Sequence, residues 1–418
     1  VVETNRAIEA AFRIESARLI AGLTRIVRDV GRAEDLAQDA LVAALAVWPE
    51  SGIPDNPGAW LMAAAKNRAL DLVRRDAMLT RKHEELGREL SSVQAPDASE
   101  DDDVGDDLLR LVFIACHPIL ATEARVALCL RLLCGLTTDE IARAYLVPEA
   151  TVAQRIVRAK RTLAEARVPF EVPHGADRAV RLASVLEVIY LVFNEGYTAT
   201  RGADWVRPAL CEDALRLARI VAELMPREAE AHGLVALLEL QASRLRARIG
   251  PSGEPVLLLD QDRARWDRLL IGRGLAALAR AGRLGGALGP YALQAAIAAS
   301  HARARTFEET DWPRIAALYD ALAQVIPSPV VSLNRAVAVA MAFGPDAGLP
   351  LVDALSSEPS LAGYHLLPSV RADLLAKLGR FEEARTEFLR AASQCGNERE
   401  RSLLLARADA AARGEIHR

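Results

Sequence analysis

Residues Leu136 to Arg161, LTTDEIARAYLVPEATVAQRIVRAKR, constrain this chain more than any other stretch: two helical apolar periods are separated by a break that leaves room only for a tight turn. The spacing predicts a first helix over about Thr138 to Ala144, with Ile141 and Ala142 turned inward. Val147 and Pro148 close the turn, and a second helix runs from Glu149 to about Arg161, held to the first by Val152 and Ile156. Thr151, Gln154, Arg155, Arg158 and Arg161 recur at steps of three and four, so they share a solvent-facing stripe, and Lys160 adds a further cation to the same helix. Hydroxyl, amide and guanidinium groups on one stripe suit base edges and phosphates together, so the segment is expected to bind duplex DNA. Exposed arginines also stand on ordinary solvated hairpins. The matching inward positions are what favour DNA. Leu146 sits where such turns often carry Gly in a left-handed conformation, so a turn of slightly different shape is expected.

A chain of 418 residues, 51% hydrophobic, is too long for one ordinary core and implies two or three domains. Ala, Leu and Arg dominate, aromatics are only 5%, and no long segment alternates as a half-buried strand does. The fold class read from this is all-α. A net charge of -4 argues against a protein that coats nucleic acid, but the charges are segregated. Cations gather at Lys66 to Arg75 and Arg155 to Arg161, and acids at Glu84 to Asp107. Five cysteines without a framework of spacings suggest a reducing compartment. The absence of a signal-peptide core, and of any apolar run of about 20 residues, leads to the expectation of a cytoplasmic protein with no membrane partner.

Composition divides the chain into blocks. The first, 4–80, is helical, with a turn at Asp29 to Arg32, a long helix over Ala33 to Trp48, a Pro- and Gly-rich loop over Trp48 to Gly58 and a third helix over Ala59 to Arg75. A segment at 81–106, rich in Ser, Ala, Asp and Glu, reads as a flexible acidic linker. About twenty extended residues reach on the order of 65 Å, enough to join DNA sites about 17 base pairs, or roughly 58 Å, apart. The second block is 107–168. The third, 177–418, contains amphipathic helices punctuated at Pro226, Gly250 to Pro255, Gly282 to Pro290, Pro327 to Pro329, Gly344 to Pro350 and Pro359. Within Pro368 to Ala391, the residues Ala372, Gly379, Phe381, Ala384, Phe388 and Ala391 fall at the small and aromatic positions of a tetratricopeptide repeat; earlier hairpins are only repeat-like.

Three motifs in order carry a family resemblance. They are Ala33-Glu34-Asp35-Leu36-Ala37-Gln38-Asp39-Ala40; Pro57-Gly58-Ala59-Trp60-Leu61 continuing through Ala65, Asn67, Arg68, Asp71 and Arg74-Arg75; and Leu136 to Arg161. Together they resemble the extracytoplasmic-function class of bacterial RNA polymerase sigma factors, built from a domain two, a linker and a domain four. The C-terminal extension, with FNEGYTAT at Phe193 to Thr200, resembles a subgroup with tetratricopeptide-like repeats, so the resemblance covers nearly the whole chain. It implies that Asp35, Leu36, Gln38 and Asp39 grip the clamp helices of the polymerase core. It also implies that Trp60, Lys66, Asn67, Arg68, Asp71, Arg74 and Arg75 handle the minus-ten element, and that Thr151, Gln154, Arg155, Arg158, Lys160 and Arg161 read the minus-35 element. The implied partners are the polymerase core, through its clamp helices and flap, and promoter DNA, with an intramolecular or protein partner for the repeats. Melting DNA needs a pocket for an unstacked base and cations along the separated strand. The loop Trp48 to Pro57 and the cationic face after it are the places for these.

Other chemistry is not legible. Cys116-His117 and the Cys129, Cys134 pair lack zinc-ligand spacing, and the latter lie in the apolar run VALCLRLLCGL, which suits core packing. His301 and His365 read as isolated structural residues on helices. No phosphate loop, nucleophile elbow or HExxH pair occurs, so no catalytic, metal or cofactor residue is assigned. The reading is therefore a sigma factor, not an enzyme, with a regulatory repeat domain. Its rivals are a conventional helix-turn-helix regulator with a repeat sensor and, more remotely, a helical enzyme in the C-terminal block.

Overall fold

The computed structural model describes residues 2–85, 103–199, 205–285 and 288–415. Among them the chain is helical, without a named strand; an isolated antiparallel bridge joins Ile249 and Pro255. No helix among the described residues is long and apolar enough to cross a membrane. The chain falls into two compact units, Val1–Ile189 and Tyr190–Arg418.

The first unit opens with α1 (Val2–Val27), α2 (Val30–Ser51) and α3 (Pro57–Glu85). α1 packs on both of the others, and its Ile8, Leu19, Ile20 and Leu23 are buried. The turn expected over Asp29 to Arg32 is tighter than that: Arg28 takes φ 57° and the Asp29 carboxylate caps α2 by accepting from the Arg32 N–H at 2.8 Å, so the helix starts at Val30. The loop expected from Trp48 also begins later. α2 carries Pro49 in its final turns and stops at Gly52 with φ 82°, because Trp48 is buried and anchors that end. Asn56 then caps α3, its Oδ1 accepting from the Ala59 N–H at 3.0 Å, and Pro57 occupies the first helical position, where its missing donor costs nothing.

α4 (Asp103–Ala115), α5 (Thr122–Leu132), α6 (Thr138–Tyr145) and α7 (Glu149–Glu165) form the second part of this unit. α3 and α4 take in both ends of the expected flexible linker; the stretch 86–102 lies outside the described residues. Helix propagation wins at the α4 end because α4 packs against α1 and Arg110 pairs with Asp106 and Asp107 at 2.7 Å. Cys116, Cys129 and Cys134 are buried, and the His117 Nδ1 accepts from the Ile119 N–H at 3.1 Å. The start of α8 (Gly175–Tyr197) also belongs to this unit. Arg125 donates to the Ser184 hydroxyl at 2.6 Å, and that hydroxyl donates to the Cys116 carbonyl at 2.6 Å.

The second unit holds α9 (Pro208–Leu224), α10 (Ala229–Ala242), α11 (Arg268–Arg283), α12 (Pro290–Arg303), α13 (Trp312–Val325) and α14 (Pro329–Phe343). It continues with α15 (Pro345–Ala354), α16 (Leu366–Lys377), α17 (Phe381–Gln394) and α18 (Glu398–Ala412), each packing on its neighbours in order. Small residues set the approach: a Cβ on Gly233 would meet the Ala292 backbone at 2.8 Å, so α10 and α12 run nearly in backbone contact. In the α16–α17 hairpin, Gly379 turns the chain at φ 74°, and Ala372, Ala384, Phe388 and Ala391 are buried as their spacing implied. The break expected over Gly344 to Pro350 is confined to Gly344, at φ 100°. Pro350 sits inside α15, where burial of Leu349 and Val352 offsets the lost backbone bond.

Candidate nucleic-acid interface

The α6–α7 pair is fixed from both ends. Thr137 and Glu140 form a reciprocal capping box, the Glu140 N–H donating to the Thr137 hydroxyl at 3.1 Å and the Thr137 N–H to the Glu140 carboxylate at 2.8 Å. Leu146 then takes the left-handed conformation, φ 50° and ψ 47°, and the Val147 N–H closes on the Ala142 carbonyl at 3.1 Å. Ile141, Ala142, Val152 and Ile156 are all buried, so both helices lie where the apolar spacing put them. Gln154, Arg158 and Arg161 project into solvent, and Thr151 and Arg155 stand half-buried beside them. Arg161 pairs with Glu165 at 2.6 Å, a contact that at this exposure is easily traded for a phosphate. Val157, 64% exposed, lies at the edge of the stripe, an apolar group that the sequence reading did not single out.

Lys160 does not belong to this stripe. At about 100° per residue it faces half a turn away from Thr151, and its ammonium pairs with Glu34. Glu34 is buried on α2 and is held from the other side by Arg131 of α5, Nε to Oε1 at 2.6 Å. The clasp Lys160–Glu34–Arg131 therefore fastens α7 and α5 to α2. Arg13 with Glu140 at 3.4 Å and Arg25 with Asp107 at 3.1 Å fasten α1 to the same part of the chain.

On α2, Asp35 and Asp39 are exposed and Gln38 is half-buried, but Leu36 is only 6% exposed and packs into the unit. The apolar group that shares the face of Asp35 and Asp39 is Val42, 65% exposed. The i, i+4, i+7 relation of 35, 39 and 42 was the signal available for it. On α3, Trp60, Asn67, Arg68, Asp71, Arg74 and Arg75 share one face, whereas Lys66, half-buried, stands about 120° round the helix from Trp60. Trp60 meets buried Trp48 edge-on, ring centroids 5.1 Å apart, which sets its indole at the foot of the 52–56 loop. Arg68 reaches Asp39 at 3.5 Å and Arg74 reaches Asp71 at 3.4 Å, both in solvent and weakly held.

Residues 12–78 match the Sigma-70 region 2 family and residues 110–163 the Sigma-70 region 4 family. A probable ECF RNA polymerase sigma factor SigI of Mycobacterium tuberculosis is 27% identical over 184 residues, covering 43% of this chain and 61% of that protein. An ECF RNA polymerase sigma factor SigK of a Mycobacterium species is 28% identical over 158 residues, 36% of this chain and 77% of that protein. This chain belongs to the extracytoplasmic-function sigma factors. The region 2 match encloses the outward faces of α2 and α3, and the region 4 match runs to Leu163 near the end of α7. In this sigma factor residues 181–282 match a family of unknown function, DUF6596. An uncharacterised protein of Rhizobium meliloti is 45% identical over 396 residues, 94% of this chain and 93% of that protein, so the sigma factor shares its C-terminal extension with that relative.

Proposed function

We propose that this sigma factor brings the polymerase core to promoters by offering each partner its own surface. Asp35, Gln38, Asp39 and Val42 of α2 meet the clamp helices, where two exposed carboxylates steer toward a basic surface and Val42 supplies apolar area. Trp60, Asn67, Arg68, Arg74 and Arg75 of α3 follow the opened minus-ten strand, Asp71 orients Arg74, and Lys66, turned away from this face, is left out. Thr151, Gln154, Arg155, Arg158 and Arg161 of α7 enter the major groove at minus-35. Lys160 is left out of the reading set because Glu34 holds it. The observation that carries this is the pairing in one unit of an outward acidic-apolar face on α2 with an outward amide-guanidinium stripe on α7. Engaging two separated elements requires the Glu34 clasp to release. Catalysis stays with the polymerase, and the protein acts in the cytoplasm.

The C-terminal helices regulate, on this reading, in place of a separate anti-sigma protein. Because α8 begins on the first unit through Ser184, a truncation that tests this ends after Tyr197 rather than before α8. Run-off transcription with purified core on a genomic fragment library tests both parts. The intact chain should yield discrete start sites, and the truncation should change their output; failure to associate with core removes the proposal, and equal output removes the regulatory tail. The α6–α7 pair would serve equally a regulator that binds alone. Tight promoter-duplex binding in a mobility shift without core would establish that reading instead.

A further inference from the structure

Three helix ends of the C-terminal unit bring together side chains that sequence spacing kept apart. His365 immediately precedes α16, Cys395 follows the last turn of α17, and Glu400 lies in the first turn of α18. His365, read as isolated, is not: its Nε2 is 3.1 Å from Glu400 Oε1, and Cys395 Sγ is 3.5 Å from Glu400 Oε2. One donor atom from each of the three lies within 4.8 Å of the others. Cys395 is buried and the other two are half-buried. The His365 Nε2 is shielded from solvent and makes no hydrogen bond, since its approach to Glu400 is out of line.

We propose that His365, Cys395 and Glu400 form a binding site for a zinc-class divalent cation. Zinc takes nitrogen and carboxylate oxygen at about 2.0 to 2.2 Å and thiolate sulfur at about 2.3 Å, so a tetrahedral site sets N···O near about 3.4 Å and S···O near about 3.6 Å. The separations of 3.1 and 3.5 Å are of that size but run to the two different oxygens of Glu400, Oε1 and Oε2, so the carboxylate would turn to present one oxygen to both partners. The remaining His365–Cys395 edge, within 4.8 Å, would close by side-chain rotation. One imidazole, one thiol and one carboxylate make a borderline-soft set that suits zinc and disfavours magnesium or calcium, which take all-oxygen shells. Three protein ligands leave a fourth position for water or an external ligand.

The surroundings hold the ligands in place. Asn397 is buried, its Oδ1 capping α18 by accepting from the N–H groups of Arg399 at 3.0 Å and Glu400 at 3.2 Å, and its Nδ2 donating to the Ala199 carbonyl at 3.2 Å. Arg401 donates to the Cys395 carbonyl at 2.5 Å, so its guanidinium is engaged with the backbone beside the cluster. A bound ion would tie α16, α17 and α18 at one point, giving the extension an input independent of how α2, α3 and α7 meet polymerase and DNA.

The full-length chain, stripped with a chelator and dialysed against zinc chloride, should retain a single zinc ion. Loaded with cobalt(II), it should show a thiolate-to-metal charge-transfer band. Cys395→Ser should abolish the band, and His365→Gln and Glu400→Gln should each weaken zinc by at least about tenfold, the scale on which even outer-shell partners act. No retained zinc, or no band in the unaltered chain, would overturn the site. So would a band and affinity that survive in both His365→Gln and Glu400→Gln, which decides the matter even where Cys395→Ser fails to fold.

Discussion

The arginines of α7 and those of the C-terminal unit are the same residue in opposite employment. On α7, Arg158 and Arg161 stand in water and Arg155 is half out of it, with donors available to a partner. In the C-terminal unit Arg263 is buried, and its guanidinium donates to the carbonyls of His301 at 2.7 Å and Ala304 at 2.9 Å and to the Thr310 hydroxyl at 3.0 Å. Arg248 donates to the Tyr197 carbonyl at 3.0 Å and lies 3.8 Å over the Tyr197 ring, and Arg244 lies 5.2 Å over Trp266. Burial pulls Arg244 and Arg263 below the ordinary arginine range, yet both remain cations. What separates an arginine open to a partner from a structural one is whether the chain's own carbonyls have already taken its donors.

The largest test of that contrast is Arg263→Met. It removes a buried cation and leaves two carbonyls and a hydroxyl unpaired, at about 1–3 kcal/mol for each group left unsatisfied, so a loss of about 3–5 kcal/mol is expected. Denaturant unfolding of the C-terminal unit measures it. A cost under about 1 kcal/mol would mean the guanidinium is not holding the α12 end at all.

Arg155→Ala and Arg158→Ala should behave the other way round. Each should weaken promoter recognition by about 1–3 kcal/mol where it contacts a base, read as altered start-site choice in run-off transcription, and by a uniform, salt-dependent loss where it contacts phosphate. The melting temperature should hardly move, because neither side chain is enclosed. A stability loss matching that of Arg263→Met would erase the distinction.

How far the sequence discloses these roles depends on periodicity. The α6–α7 geometry was legible because Ile141, Ala142, Val152 and Ile156 mark an inward face that leaves the cations only one side. Lys160 escaped the same logic: grouped by charge, it turns away by half a turn and meets Glu34, a contact between α2 and α7 that no local pattern encodes. Leu36 was assigned outward by resemblance, but it is buried, and the exposed apolar group on the face of Asp35 and Asp39 is Val42. Buried arginines look like surface residues to any hydropathy count, and the His365, Cys395 and Glu400 cluster assembles only once three helix ends meet.

Acidification sharpens the comparison between the units through their histidines. Burial, with Arg244 and Arg263 adding repulsion, lowers His301 to about 3, while burial and Arg181 lower His117 of the first unit to about 4. In the unfolded chain each titrates near 6.5, so below that pH the unfolded state binds a proton the folded state refuses. The stability due to a neutral His301 is fully present above about pH 6.5 and falls as pH drops toward 3, by on the order of 2 kcal/mol at pH 5. Replacing His301 with Gln should flatten that slope in the C-terminal unfolding transition and leave the His117 contribution in the first unit. An unchanged slope would show that other groups govern acid unfolding.

The smallest expected effect lies in the turn that aims α7. Leu146 holds φ 50° with a side chain 49% exposed, so it bears the left-handed strain of a branched residue while burying little in return. That conformation costs a non-glycine residue about 1 kcal/mol, and glycine avoids it but surrenders up to about 1 kcal/mol by enlarging the unfolded ensemble. Leu146→Gly should therefore change stability by between zero and about 1 kcal/mol in the stabilising direction, with start-site choice unaltered. If the variant instead loses promoter selectivity while keeping its melting temperature, Leu146 is held in a strained turn to fix the angle at which α7 meets DNA, and its cost to the fold is repaid at the promoter.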